Sequence, residues 1–251
     1  LATLSEQLHD MSISGIDLTM QEFIRLILRT KNKFGTKMPE MVKDYTITVK
    51  GQINNASVES AYNLIKEILR ADYTSESDGE KIYFNEEQWV KLMYGSSGQQ
   101  EVLWILMLAF GTILEGKPSF FVIEEPEAHL FPTAQRNIVS LISLMINSTG
   151  SKVMVTTHSP YILTSANVLL YSDKVERGKE KMRTVIPKNL RISFQNFAAY
   201  RIGRNAEYKK DMNSILDMES HMINIDYIDR VSSITNEELS ALLDMEISDD
   251  M

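Results

Sequence analysis

Apolar residues along this chain follow two spacings. Over residues 20–30 they fall at Phe23, Ile24, Ile27 and Leu28, and over 58–71 at Ala61, Leu64, Ile65, Ile68 and Leu69. Steps of three and four line one face of a helix. Residues 133–147 repeat the pattern through Ile138, Leu141, Ile142 and Met145. Residues 99–115 are apolar nearly all round, which predicts a buried helix. Shorter runs read as strands: 45–50, 81–84, 152–157 and 168–171. The unbroken apolar run 119–123 predicts a central strand covered on both faces. Residues 73–80 read as a polar, glycine-containing break, and Ser159-Pro160 as a helix start, a cap followed by proline at the first helical position.

From residue 81 to 172 the order is strand, helix, strand, helix, strand, short helix, strand. That alternation predicts an α/β fold with a parallel-rich sheet flanked by helices. A helical and mixed segment, 1–80, precedes this core of 81–172, and a small acidic region, 173–251, follows it. In the acidic region, 215–219 and 227–231 suit amphipathic packing elements, and 237–245 suits a last helix.

Composition narrows the function classes. The 251 residues are 43% hydrophobic and 24% charged, enough apolar content for a packed core. The absence of cysteine excludes a disulfide scaffold, a thiolate zinc site and a cysteine nucleophile. The longest apolar run, 102–110, is far short of a membrane span, so no membrane partner is expected. No signal-peptide pattern opens the sequence, which makes a cytoplasmic setting the expectation. The net charge of −8 is uneven. Residues 211–251 hold eleven acids and one base, leaving the first 210 near +2. Residues 25–43 and 174–191 are locally basic. Bulk charge therefore does not favour nucleic acid, while a local patch could meet phosphates.

Three motifs carry candidate chemistry. In the first, Tyr94-Gly95-Ser96-Ser97-Gly98-Gln99-Gln100, a small polar turn opens into the apolar helix. Ser97 with Gln100 fits a capping box. Free N–H groups at a helix start, a hydroxyl and a glycine also suit a close anionic oxygen. In the second, Ile123-Glu124-Glu125-Pro126-Glu127-Ala128-His129-Leu130, two adjacent carboxylates stand where an apolar strand runs out. Ligands bind at the carboxyl ends of strands in open α/β sheets. One carboxylate there can hold a hydrated Mg²⁺ while its neighbour orients or deprotonates a water. In the third, Thr156-Thr157-His158-Ser159-Pro160, another strand ends in a histidine able to donate to a phosphate oxygen.

Together and in this order, the motifs resemble the C-terminal half of an ATP-binding-cassette-type ATPase of the AAA group. The branch is the non-transporter one, with the structural-maintenance-of-chromosomes proteins, DNA-repair ATPases and overcoming-lysogenization-defect proteins. Ser96-Ser97-Gly98-Gln99 resembles the signature motif, Ile123-Glu124-Glu125-Pro126 the Walker B segment and His158 the switch histidine. The resemblance implies a P-loop-NTPase-like fold with ATP and Mg²⁺ as cofactors. It implies Glu124 at the metal, Glu125 polarising the attacking water and His158 on the γ-phosphate. Ser96, Ser97, Gly98 and Gln99 would contact the nucleotide of a second protomer, in a homodimer with composite ATP sites. Nucleic acid, or an effector in repair or phage defence, would be what such a switch acts on.

The resemblance breaks at defined places. Glu124 replaces the usual aspartate, and Phe131 stands where many relatives carry the D-loop aspartate. The single match to G-x-x-x-x-G-K, residues 111–117, follows a helix and has Pro118 where a Mg²⁺-binding hydroxyl is needed. It is not a phosphate loop, and the expectation is a loop upstream of Leu1. A non-catalytic, degenerate ATPase-fold module is the alternative. No Asp-x-Asp occurs in 173–251, so no topoisomerase-primase-type nuclease is expected.

Overall fold

A computed structural model describes residues 55–76, 78–176, 185–203, 212–225 and 234–240, with Leu18, Gln21 and Arg25. The strand expected at 45–50 and the element at 227–231 lie outside the described residues. So does most of the helix at 20–30, although Gln21 and Arg25 are helical. The chain divides into two compact units, 1–157 and 158–251.

In the first unit, helix α1 (Asn55–Leu69) buries Val58, Ala61, Ile65, Ile68 and Leu69, the face that the spacing predicts. Helix α2 (Ser97–Glu115) buries Val102, Leu103, Trp104, Leu106, Met107 and Phe110, among others. Helix α3 (Pro132–Thr149) buries Ile138, Leu141, Ile142 and Met145. The three helices pack on one another and form the core. A side-chain bond from Asn137 to Glu67 at 2.9 Å links α3 to α1.

The stretch 73–80, expected as a break, is instead most of a hairpin. Strand β1 (Asp72–Glu76) pairs antiparallel with β2 (Gly79–Tyr83), which pairs in turn with β3 (Trp89–Lys91). The polar sequence is misleading because its polar groups satisfy one another. Tyr73, 1% exposed, donates to the buried Glu80 at 2.7 Å. Lys81 reaches Glu76 at 2.7 Å and Asp78 at 2.9 Å, with the Trp89 ring centroid 4.5 Å from its Nζ. Buried polar groups are tolerated when paired in this way.

Strand β4 (Phe120–Glu124) and β5 (Lys152–Thr156) pair in parallel, Phe120 opposite Lys152 and Glu124 opposite Thr156. The fold is thus mixed α/β with a parallel sheet and helices. Covering on both faces does not hold for β4. Phe120 is 67% exposed, and Val122 and Met154 are each 51% exposed, while the alternate residues Phe121, Ile123, Val153 and Val155 are half-buried. The apolar run is continuous because both its faces are apolar, yet described elements cover only one of them.

The match at 111–117 also resolves. Gly111 lies inside α2, and Gly116 is its left-handed C-cap (φ +63°), its N–H bonded to the Thr112 carbonyl. A helix C-terminus presents carbonyls and repels phosphate.

In the second unit, helix α4 (Pro160–Glu176) starts where Ser159 accepts from the Tyr161 N–H at 3.1 Å. It runs through 168–171, so the strand expected there is helix. Ile162, Ala166, Leu169 and Leu170 are buried at helical spacing while Val168 and Tyr171 are exposed, a pattern hidden by reading four residues alone. Beyond it β6 (Tyr200–Ile202) pairs with β7 (Met212–Ser214), and β8 (Leu216–Asp217) with β9 (Met222–Ile223). Asn167 clamps β9 to α4, donating to the Ile223 carbonyl at 2.9 Å and accepting its N–H at 2.6 Å. Residues 234–240 are helical, within the region expected to end in a helix.

Candidate functional site

The polar turn before α2 is built by its own side chains. Ser96 is the N-cap: its hydroxyl accepts the Gln99 N–H at 3.3 Å, and the Gln99 side-chain oxygen accepts the Ser96 N–H at 3.1 Å. This is a capping box, one residue earlier than the Ser97–Gln100 pair expected. The Gln99 side-chain N–H donates to the Leu69 carbonyl at 2.8 Å, which ties the turn to the end of α1. Gln100 braces the same turn through the Gly95 carbonyl at 2.9 Å. The N–H groups of Ser97 and Gly98 keep no partner among the described residues.

The carboxylates lie at the C-terminal end of β4. Glu124 closes the strand, exposed, opposite Thr156. Glu125 continues the ladder by one bond, its N–H donating to the Thr156 carbonyl at 3.0 Å. It then turns with φ +44°, a left-handed conformation unusual for a residue with a side chain. Pro126 is buried beneath it. Two tight turns follow, Ala128 N–H to Glu125 carbonyl at 2.9 Å and Leu130 N–H to Glu127 carbonyl at 3.0 Å, with His129 also left-handed at φ +57°. Positive φ outside glycine costs about 1 kcal/mol or more and persists where surrounding bonds over-determine it. Those bonds are present. Thr157 donates to the Glu127 carboxylate at 2.6 Å, and Gln135 of α3 donates to the Leu130 carbonyl at 2.9 Å.

Turn and loop meet across an open cleft of ≈ 400 Å³. Ser97, Glu101 and Ile105 of α2 form one wall, and Glu124, Glu125 and Pro126 the other. Of the predicted residues, Ser97, Glu124 and Glu125 line it, while Ser96, Gly98 and Gln99 build the turn beside it. His158 is exposed and opens the second unit. Phe131 is 75% exposed, with the Arg70 guanidinium 6.0 Å from its ring centroid.

Sequence reading missed three contributors. Glu101 stands on the cleft wall, 3.7 Å from the His129 imidazole. Glu127 and Thr157 lock the loop to the strand end. The signal available was Glu127 at two residues past Glu125, facing a strand that ends in Thr156-Thr157.

Among the described residues, no group of three or more His, Asp or Glu gathers as a metal cluster. Two adjacent exposed carboxylates at an open cleft still suit Mg²⁺, which keeps several waters and takes one or two carboxylates beside phosphate oxygens.

No curated protein matches the sequence. A solved structure described under "Structural biochemistry of ATP-driven dimerization and DNA stimulated activation of SMC ATPases" aligns over 72% of this chain and 94% of its own length. That alignment has 12% identity and a TM-score of 0.41. The model of the AAA ATPase domain matches residues 2–163, well over half of the sequence. The chain therefore belongs to the AAA ATPase domain family.

Proposed function

We propose that this chain supplies the hydrolytic part of an ABC-type ATP site, with 81–172 as its ATPase core. The observation that carries the reading is the shared cleft: the Glu124–Glu125 pair at a strand end faces the first turn of α2. Glu124 would hold Mg²⁺ through water, and Glu125 would orient and deprotonate the attacking water. Bound Mg²⁺ would neutralise charge on the transferring phosphoryl group. His158 would donate to the γ-phosphate.

The turn Ser96-Ser97-Gly98-Gln99 would face the nucleotide of a second copy. Ser97 and Gly98 offer backbone N–H groups, while Ser96 and Gln99 hold the turn in shape. A helix N-terminus lowers the energy of a nearby phosphate through those groups and the helix dipole. On this reading the phosphate-binding loop would come from outside these residues. ATP would close two copies head to tail, and hydrolysis would release them. What the switch acts on would be nucleic acid or a repair or defence effector, in the cytoplasm.

Absence of the loop favours a second reading, a non-catalytic module that uses the ATPase fold to dimerise. ATP hydrolysis by protein assembled with its phosphate loop separates the two. Glu125→Gln should cut kcat by about 100-fold or more while leaving ATP binding intact. Hydrolysis absent in the parent selects the non-catalytic module.

A further inference from the structure

We propose that Gly98 is a positioning residue for Glu125: its missing side chain makes room for the His129 carbonyl, and that contact seats the loop. The proposal rests on the reading of Glu125 as the base. Gly98 is buried in the first turn of α2. A Cβ built there would overlap the His129 carbonyl oxygen, lie 3.2 Å from its carbonyl carbon and 3.4 Å from Leu130 Cδ2. The obstacle is backbone, which cannot rotate away as a side chain would.

The loop cannot absorb the displacement either. Its ends are fixed at the Thr156 carbonyl and at Gln135, and its middle is fixed through Glu127 to Thr157. Between Glu125 and His129, the Ala128–Glu125 bond closes a tight turn, and both of its flanking residues, Glu125 and His129, are left-handed. Pushing the His129 carbonyl away therefore moves Glu125 through one hydrogen-bonded turn. The glycine thus sets the separation of the two cleft walls. Its space belongs to a protein carbonyl, whereas the sequence suggested an anionic ligand.

Gly111 provides an internal control. It lies in the same helix with nothing within 4 Å of a built Cβ. The experiment compares Gly98→Ala with Gly111→Ala in the full chain, by hydrogen exchange at the Ala128 and Leu130 amides. Exchange should quicken about 10-fold or more in Gly98→Ala, as those turn bonds open more often. It should stay at the parent rate in Gly111→Ala. Parent-rate exchange in folded Gly98→Ala overturns the proposal. If Gly98→Ala does not fold, adding Leu130→Gly, which frees the chain after His129, should restore folding; no recovery overturns it as well.

In protein that hydrolyses ATP, Gly98→Ala should lower kcat about 10- to 100-fold. A change in KM alone would contradict the positioning role. Exchange is read without ATP, so it stands or falls separately from the ATPase reading. A parent that hydrolyses nothing contradicts the latter only.

Discussion

Thr157 donates its hydroxyl to the Glu127 carboxylate at 2.6 Å, joining the residue just after β5 to the loop just after β4. The two strands run parallel, so both ends lie at the same edge of the sheet. That edge is where the candidate carboxylates stand.

Thr157→Val removes this donor and keeps the shape. A hydrogen bond to a charged group is worth about 1.5–3 kcal/mol when buried, and Thr157 is only half-buried. Urea denaturation should show a loss of about 1 kcal/mol. A loss below about 0.3 kcal/mol would mean that the loop holds its form without this bond.

Ser96 and Ser97 look interchangeable in the sequence, and the structure separates them. Ser96 is the N-cap, so Ser96→Ala should cost about 1 kcal/mol in the same denaturation experiment. Ser97, exposed on the cleft wall, should tolerate alanine within about 0.5 kcal/mol. Equal losses would put the cap in the wrong place.

The hairpin sets a pH dependence. Bonds from Lys81, and for Glu76 also from Tyr83, hold the Glu76 and Asp78 carboxyls below their ordinary values of 4.5 and 3.8. Hydrogen bonds to those carboxylates push Lys81 above 10.5. A lowered acid contributes stability above its unfolded value and loses it as pH falls through the folded one. A raised lysine contributes below 10.5 and loses that as pH rises through its folded value. Thermal melts should thus fall off below about pH 4.5, and Lys81→Met should flatten that shoulder. Above about pH 10 the Tyr62, Tyr73 and Tyr83 phenols, also raised, add their own loss, so Lys81→Met should only lessen the fall there. An unchanged acid shoulder in Lys81→Met would assign the dependence to other groups.

Helices α1 and α3 were legible because their buried faces repeat over several turns, as at Ala61, Ile65 and Ile68, and α2 because it is apolar nearly all round. The hairpin β1–β2 was not. Its buried residues Tyr73, Glu80 and Lys81 are polar, and each is paired, Tyr73 with Glu80 and Lys81 with Glu76 and Asp78. Residues 168–171 failed for a related reason, since a four-residue apolar run fits a strand or a buried helix equally. The candidate pair Glu124–Glu125 stands out in the sequence because an apolar run stops there. The tight space at Gly98 does not stand out, because the His129 carbonyl that fills it lies on another element.

The most direct measurement is ATP turnover by Glu125→Gln beside the parent, with ATP affinity measured on both. With Glu125 as the base, kcat falls about 100-fold or more and the Kd for ATP stays within about threefold. Turnover at the parent rate would contradict that role and move the base elsewhere.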